Sequence, residues 1–287
     1  MKTILPLILL AATTTFPIAY GAERPHIVHI VADDLGWKDV GFNGCTDIKT
    51  PHLDSLAAGG AKLTHFYVQP MCTPTRAALM TGRYAWRTRL KSGVLWGYSS
   101  PLIEPGRLTL PALLRQQGYA TACVGKWHLG LGWPTREPVN FGDQTQPAGD
   151  IGLIDYSRPF TAGPLTVGFD YFFGIPASLD MDPYLFIEND RAVVPPTDRI
   201  AGGRHQRQGG PGFWRAGPAP PGFTPQIVLP TLTEKAEAFL RRQSARQPFF
   251  LYLPLTAPHT RSVPSVEPLT TAWFFARMRG RSFNAPR

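Results

Sequence analysis

Short apolar runs alternate with segments punctuated as helices, and that alternation restricts the chain to a sheet with helices packed on its faces. His26 to Ala32 is a continuous β-forming run that leads directly into Asp33-Asp34-Leu35-Gly36. Thr50-Pro51 then opens a helix, with Thr as N-cap, Pro at the first helical position and Gly59-Gly60 as the stop. Ala61 to Val68 is expected to be the next extended run. Cys72-Thr-Pro-Thr-Arg76 starts a second helix that closes at Gly82, and Thr109 to Gly118 repeats the Thr, Pro, Gly order before a strand over Ala120 to Val124. A helix over Leu232 to Arg242 and a strand over Pro248 to Leu253 complete the periodic part. The expected fold class is α/β, with a mainly parallel central sheet flanked by helices. From Trp133 to Thr224 the sequence predicts mostly loop, consistent with 30 Pro and 28 Gly in 287 residues.

The formal charge of +9 attracts anions in general. No basic run with interleaved aromatics and no nucleic-acid motif is present, so a nucleic-acid partner is not expected. Lys2, the apolar stretch from Ile4 to Leu10 and the small-residue site Ala19-Tyr20-Gly21 read as a signal peptide over residues 1–21. The stretch is short for a bilayer span. The expectation is therefore an exported chain, periplasmic or secreted, without stable membrane insertion; an N-terminal anchor or a buried helix is the other reading. Three cysteines, Cys45, Cys72 and Cys123, leave at least one thiol unpaired in an oxidising compartment. Whether Cys45 and Cys123 pair is open. Residues 265–287 read as an irregular basic tail, with four arginines and no acidic residue after Leu269; an ordinary disordered tail and a truncated or frame-shifted end are the two readings.

Chemistry concentrates at the ends of the expected strands. Asp33 and Asp34 follow the first strand, where open α/β sheets place ligand-binding groups. Adjacent carboxylates repel unless a cation neutralises them, and oxygen donors favour a hard ion; a strand-capping turn is the simpler reading. At Cys72, a helix N-terminus offers N–H donors and the positive end of the dipole, with Arg76 one turn on as a fork for an oxyanion. Lys126 and His128 lie two apart after a strand, which an extended backbone would place on one face. Phe249-Phe-Leu-Tyr-Leu-Pro-Leu-Thr-Ala-Pro-His259 is an apolar segment that begins in the last expected strand and ends on a histidine.

Cys72-Thr-Pro-Thr-Arg-Ala-Ala-Leu-Met-Thr-Gly-Arg83 resembles the signature of the formylglycine-dependent sulfatases, members of the alkaline phosphatase superfamily. Gly118-Tyr119 through Lys126-Trp127-His128-Leu129-Gly130 is similar to their second signature, and Phe249 to His259 to a third segment. The resemblance runs over about residues 25 to 264, patchily between Trp133 and Thr224. It implies a catalytic domain over residues 22–264, incomplete relative to the family because the C-terminal subdomain and a later metal-binding Asp-Asn pair are missing, a gap expected to weaken ion binding or leave the chain impaired or inactive.

The resemblance further implies that a maturation enzyme oxidises Cys72 to formylglycine. The hydrated aldehyde would attack the sulfur of a sulfated small molecule or glycan. Asp33, Asp34 and position 72 would hold Ca²⁺ or Mg²⁺. Arg76 and Lys126 would hold the sulfate oxygens, His259 would protonate the leaving alcohol and His128 would assist sulfate release. The alternatives are a phosphoester or phosphonate hydrolase of the same superfamily, and a non-catalytic remnant that binds sulfated glycans through its basic surface.

Overall fold

The computed structural model describes residues 24–137, 152–203, 214–244 and 246–259. The signal peptide expected over 1–21 and the tail expected over 265–287 lie outside them.

The expected first strand forms as β1 (Ile27–Asp33), followed by α1 (Pro51–Ala58), α2 (Cys72–Thr81), α3 (Leu110–Gln116) and β2 (Ala120–Lys126). Next come β3 (Tyr171–Ile175), β4 (Ile187–Glu188), β5 (Arg191–Ala192), β6 (Asp198–Ile200) and β7 (Gly217–Ala219). The fifteen-residue α4 (Val228–Arg242) and β8 (Phe249–Pro258) follow. A six-stranded sheet runs in the order β1-β8-β2-β3-β4-β5. Its first four strands are mutually parallel, and the two short strands at the far edge are antiparallel.

β8 shows why this is a three-layer structure. Phe250 and Tyr252 pack on one face with Met80 of α2 and Leu114 of α3, while Phe249, Leu251 and Leu253 pack on the other with Leu232, Ala236 and Phe239 of α4. A pleated strand sends alternate side chains to opposite faces, so a strand covered on both must be apolar throughout. The buried face of α4 follows the helical repeat, at Leu232, Ala236, Phe239 and Leu240.

Two local devices shape the mouth of the sheet. Gly125 of β2 pairs with Gly174 of β3, and a Cβ on Gly174 would fall 1.8 Å from the Gly125 carbonyl oxygen. A Cβ on Gly125, whose φ is +144°, would fall 2.0 Å from the Pro254 carbonyl. Only glycine lets β3, β2 and β8 approach this closely just before Lys126. Along the β1–β8 pair, Val31 faces Pro254 but Asp33 faces Pro258. The register shift adds residues on the β8 side, and the strand end then brings His259 beside Asp34.

Three expectations need correction. Residues 61–68 join no strand; Leu63, Phe66, Tyr67 and Val68 are exposed. Their apolar character mimicked a buried run, but no neighbouring strand accepts their backbone. β3 lies inside the stretch expected to be loop; its Tyr-Phe-Phe-Gly-Ile sequence is short, and Gly174 masked the β signal. β2 and β8 both extend further toward the site than expected, to Lys126 and Pro258. All three cysteines are free thiols, with Cys123 buried in β2.

Candidate active site at the mouth of the parallel sheet

Asp33 ends β1, Cys72 opens α2 and Lys126 ends β2, so three elements deliver their side chains to one point. Lys126 Nζ lies 2.7 Å from Asp33 Oδ2 and 3.4 Å from Cys72 Sγ. The Cys72 thiol donates to Asp33 Oδ1 at 3.4 Å. Arg76, one turn into α2, reaches Asp33 Oδ1 through Nη2 at 3.3 Å and donates through Nη1 to the Lys126 carbonyl at 2.8 Å. Asp33, Arg76 and Lys126 are all buried. A lone carboxylate there would be costly; two cations compensate it.

The electrostatics follow from that packing. Burial alone would raise the Asp33 carboxyl, but the Lys126 ammonium and Arg76 guanidinium outweigh it and hold it below its usual value. Burial is the largest influence on the Cys72 thiol and pushes it up, with Lys126 opposing and Asp33 reinforcing the rise. His128 is driven well below an ordinary imidazole, first by burial and then by Lys126 and Arg76. It is therefore neutral across the physiological range.

His128 does not reach the site by the extended geometry expected of it. Its φ is +56°, a left-handed conformation, so the chain turns immediately after Lys126. The ring is nevertheless placed beside the cluster, with Nε2 2.7 Å from the Leu95 carbonyl oxygen. Its Nδ1 is buried without a hydrogen-bond partner among the described residues. Asp34 is also left-handed, at φ +61°. Two non-glycine residues held in this region at one site represent stored backbone strain.

His259, one residue beyond β8, lies with Nε2 3.5 Å from Asp34 Oδ2 and Nδ1 3.3 Å from Ser178 Oγ. Asp34 itself is mostly exposed, at 58 % of its side chain, and meets the site through that contact. Donor atoms of Asp33, Cys72 and His259 all fall within 4.8 Å of one another, so this trio could hold a metal ion. Of the ligands expected from the sequence, Asp33 and Cys72 belong to the trio and Asp34 flanks it. A hard cation takes six or more oxygens. The two aspartates, one of them already neutralised by two cations, supply only part of such a shell.

Two positioning residues escaped the sequence. Thr73 donates to the His128 carbonyl at 3.1 Å and accepts from the Leu95 amide at 3.1 Å, tying α2 to both neighbours of the site. It occupies the variable position of the Cys-x-Pro-x-Arg core, where spacing carries no signal. Ser178 sits in the loop after β3, a strand the sequence had hidden.

Residues 25–278 match the family model described as Sulfatase. The N-acetylgalactosamine-6-O-sulfatase of Bacteroides thetaiotaomicron is 32% identical over 276 residues, covering 85% of this chain and 50% of the relative. The human steryl-sulfatase is 40% identical over 163 residues, covering 55% of this chain and 24% of the relative. A solved structure described under glycosaminoglycan metabolism by Bacteroides thetaiotaomicron superposes with a TM-score of 0.72 at 28% identity. That superposition covers 90% of this chain and 59% of the other. The chain thus spans half or less of the curated relatives named here. With the family model covering nearly the whole chain and the signature residues converging on one buried cluster, the chain belongs to the sulfatase family.

Proposed function

We propose that the chain forms a sulfatase active site that hydrolyses sulfate esters, the reacting group being formylglycine made from Cys72 by a maturation enzyme. The observation that carries this reading is the meeting of Asp33, Cys72 and Lys126 within 3.4 Å, from segments far apart in the chain. Arg76 and Lys126 supply fixed positive charge where sulfate oxygens would sit, without reorganisation during the reaction. His259, partly exposed at the outer edge and held through Nδ1 by Ser178, is placed to give a proton to the departing alcohol. His128, neutral and with Nδ1 unengaged, can take or return a proton at that atom.

Asp33, Asp34 and the oxidised residue 72 would hold Ca²⁺, or Mg²⁺ in its place. A cation bound there neutralises charge and acidifies an adjacent hydroxyl. Further oxygens would come from water and from the sulfate itself. The substrate class we infer is a sulfated glycan or small molecule, in line with the names of the relatives above. Residues 22–264 would be the catalytic domain. Residues 1–21 would direct export to the periplasm or exterior; among the described residues no helix is long and apolar enough to cross a membrane.

The test is turnover of matched aryl sulfate and aryl phosphate by chain with residue 72 oxidised and Ca²⁺ supplied. A preference for the sulfate is expected. No sulfate turnover, or faster phosphate turnover, would overturn the reading.

A further inference from the structure

Two histidines at the site are held by different loops. The 176–184 loop after β3 holds His259 through Ser178, and the 95–99 turn holds His128 through the Leu95 carbonyl. One residue from outside both joins them. The Arg215 guanidinium lies 4.6 Å from the ring centroid of Trp96, next to Leu95. Its Nη1 donates to Asp180 at the carbonyl oxygen (2.9 Å) and at Oδ2 (2.7 Å), two residues from Ser178. The Arg215 amide donates to the same carbonyl at 3.2 Å, and the Arg215 carbonyl accepts from the Tyr184 hydroxyl at 2.6 Å. Arg215 is therefore fastened to the middle of the 176–184 loop at Asp180 and to its last residue, Tyr184, and laid over the indole of the 95–99 turn.

We propose that Arg215 is a positioning residue for leaving-group protonation, clamping the two loops so that Ser178 keeps His259 aimed at the ester oxygen. The inference rests on the sulfatase reading. An arginine suits this role because its rigid fork fixes the direction of the Asp180 carbonyl while its flat face rests on Trp96; a lysine ammonium would keep the charge but not the geometry. The Asp180 side chain is only 11 % exposed, so this pairing is shielded from solvent on its carboxylate side.

The chemistry supplies a readout that a purely structural role would not move. p-Nitrophenolate leaves readily without a proton, whereas a sugar alkoxide requires one. Arg215→Met keeps an unbranched side chain of similar length but removes both the guanidinium over Trp96 and the donors to Asp180. On N-acetylgalactosamine 6-sulfate, kcat should fall by about a hundredfold with little change in KM, while kcat on p-nitrophenyl sulfate should fall by less than about threefold. Arg215→Lys should recover part of the loss. Equal losses on both substrates, or no loss on the sugar sulfate, would overturn the clamp.

Wild-type chain inactive on both sulfates would instead refute the sulfatase reading. The clamp is then judged by hydrogen exchange alone. Arg215→Met should speed exchange across 176–184 while leaving β2 and α2 unchanged. Unchanged exchange in that loop would overturn it.

Discussion

Lys126 Nζ sits 2.7 Å from Asp33 Oδ2, a contact between the ends of two parallel strands that flank β8. Both side chains are out of water, at 0 % and 4 % exposure, so each depends on the other for its charge. Parallel strands carry their C-terminal residues to the same edge, and the pairing is a consequence of that geometry.

Lys126→Met should therefore destabilise the fold as well as the site. Breaking a buried pair from one side costs about 3 kcal/mol or more, with Arg76 retaining part of the compensation here. The double variant Lys126→Met/Asp33→Asn should regain most of the loss. Urea denaturation of the three chains at pH 7 measures this, and a single variant as stable as wild type would contradict it.

On the proposed sulfatase reading, Cys72→Ala should lower sulfate turnover by on the order of 10⁵-fold or more, since that reading makes residue 72 the group that attacks sulfur. The melting temperature should stay close to that of wild type, because the side chain is small and its polar contacts are the two 3.4 Å contacts to Asp33 and Lys126. Turnover and a thermal melt on one preparation separate lost chemistry from lost folding. Surviving turnover would remove Cys72 from its role.

Asp182 gives the clearest pH signature. Burial is the largest influence on its carboxyl and raises it above the ordinary 3.8, against smaller opposing effects from a backbone hydrogen bond, Arg199 and Arg215. The folded chain thus holds this proton more tightly than the unfolded chain. Stability consequently falls as pH rises from about 4 through the folded value. Asp182→Asn should melt higher than wild type at pH 7, with the two curves converging below about pH 4. A gap that persists at low pH would contradict this.

Phe250 is fully buried in β8, the strand between β1 and β2, and stacks near Phe169 at 6.1 Å. Phe250→Ala should cost about 3–5 kcal/mol, the transfer of the ring plus the cavity it leaves. Loss of less than about 1 kcal/mol in chemical denaturation would mean that the core collapses around the gap.

The ends of α2 and α3 were legible because they are local chemistry, whereas Thr50 makes no side-chain capping bond to α1 and α4 begins at Val228, ahead of the expected Leu232. Thr109 caps α3 by accepting from the Ala112 amide, and Gly82 closes α2 in a left-handed conformation, both as their residue types dictate. Strand register was not legible. The Gly125–Gly174 pairing and the β8 register shift depend on what lies across the sheet, so neither β3 nor the extension of β8 beyond Leu253 could be read along the sequence.

For the site, sequence by itself determined the residue types, the position of Cys72 at the start of α2, and the C-terminal strand ends that carry Asp33 and Lys126. Those are matters of local grammar and signature spacing. Tertiary structure alone decided that Lys126 neutralises Asp33, that His128 arrives through a left-handed turn, that Ser178 meets His259, and that Arg215 joins Asp180 to Trp96. Each of these joins residues distant in the chain, and such contacts are fixed by how sheet, helices and loops pack together in three dimensions.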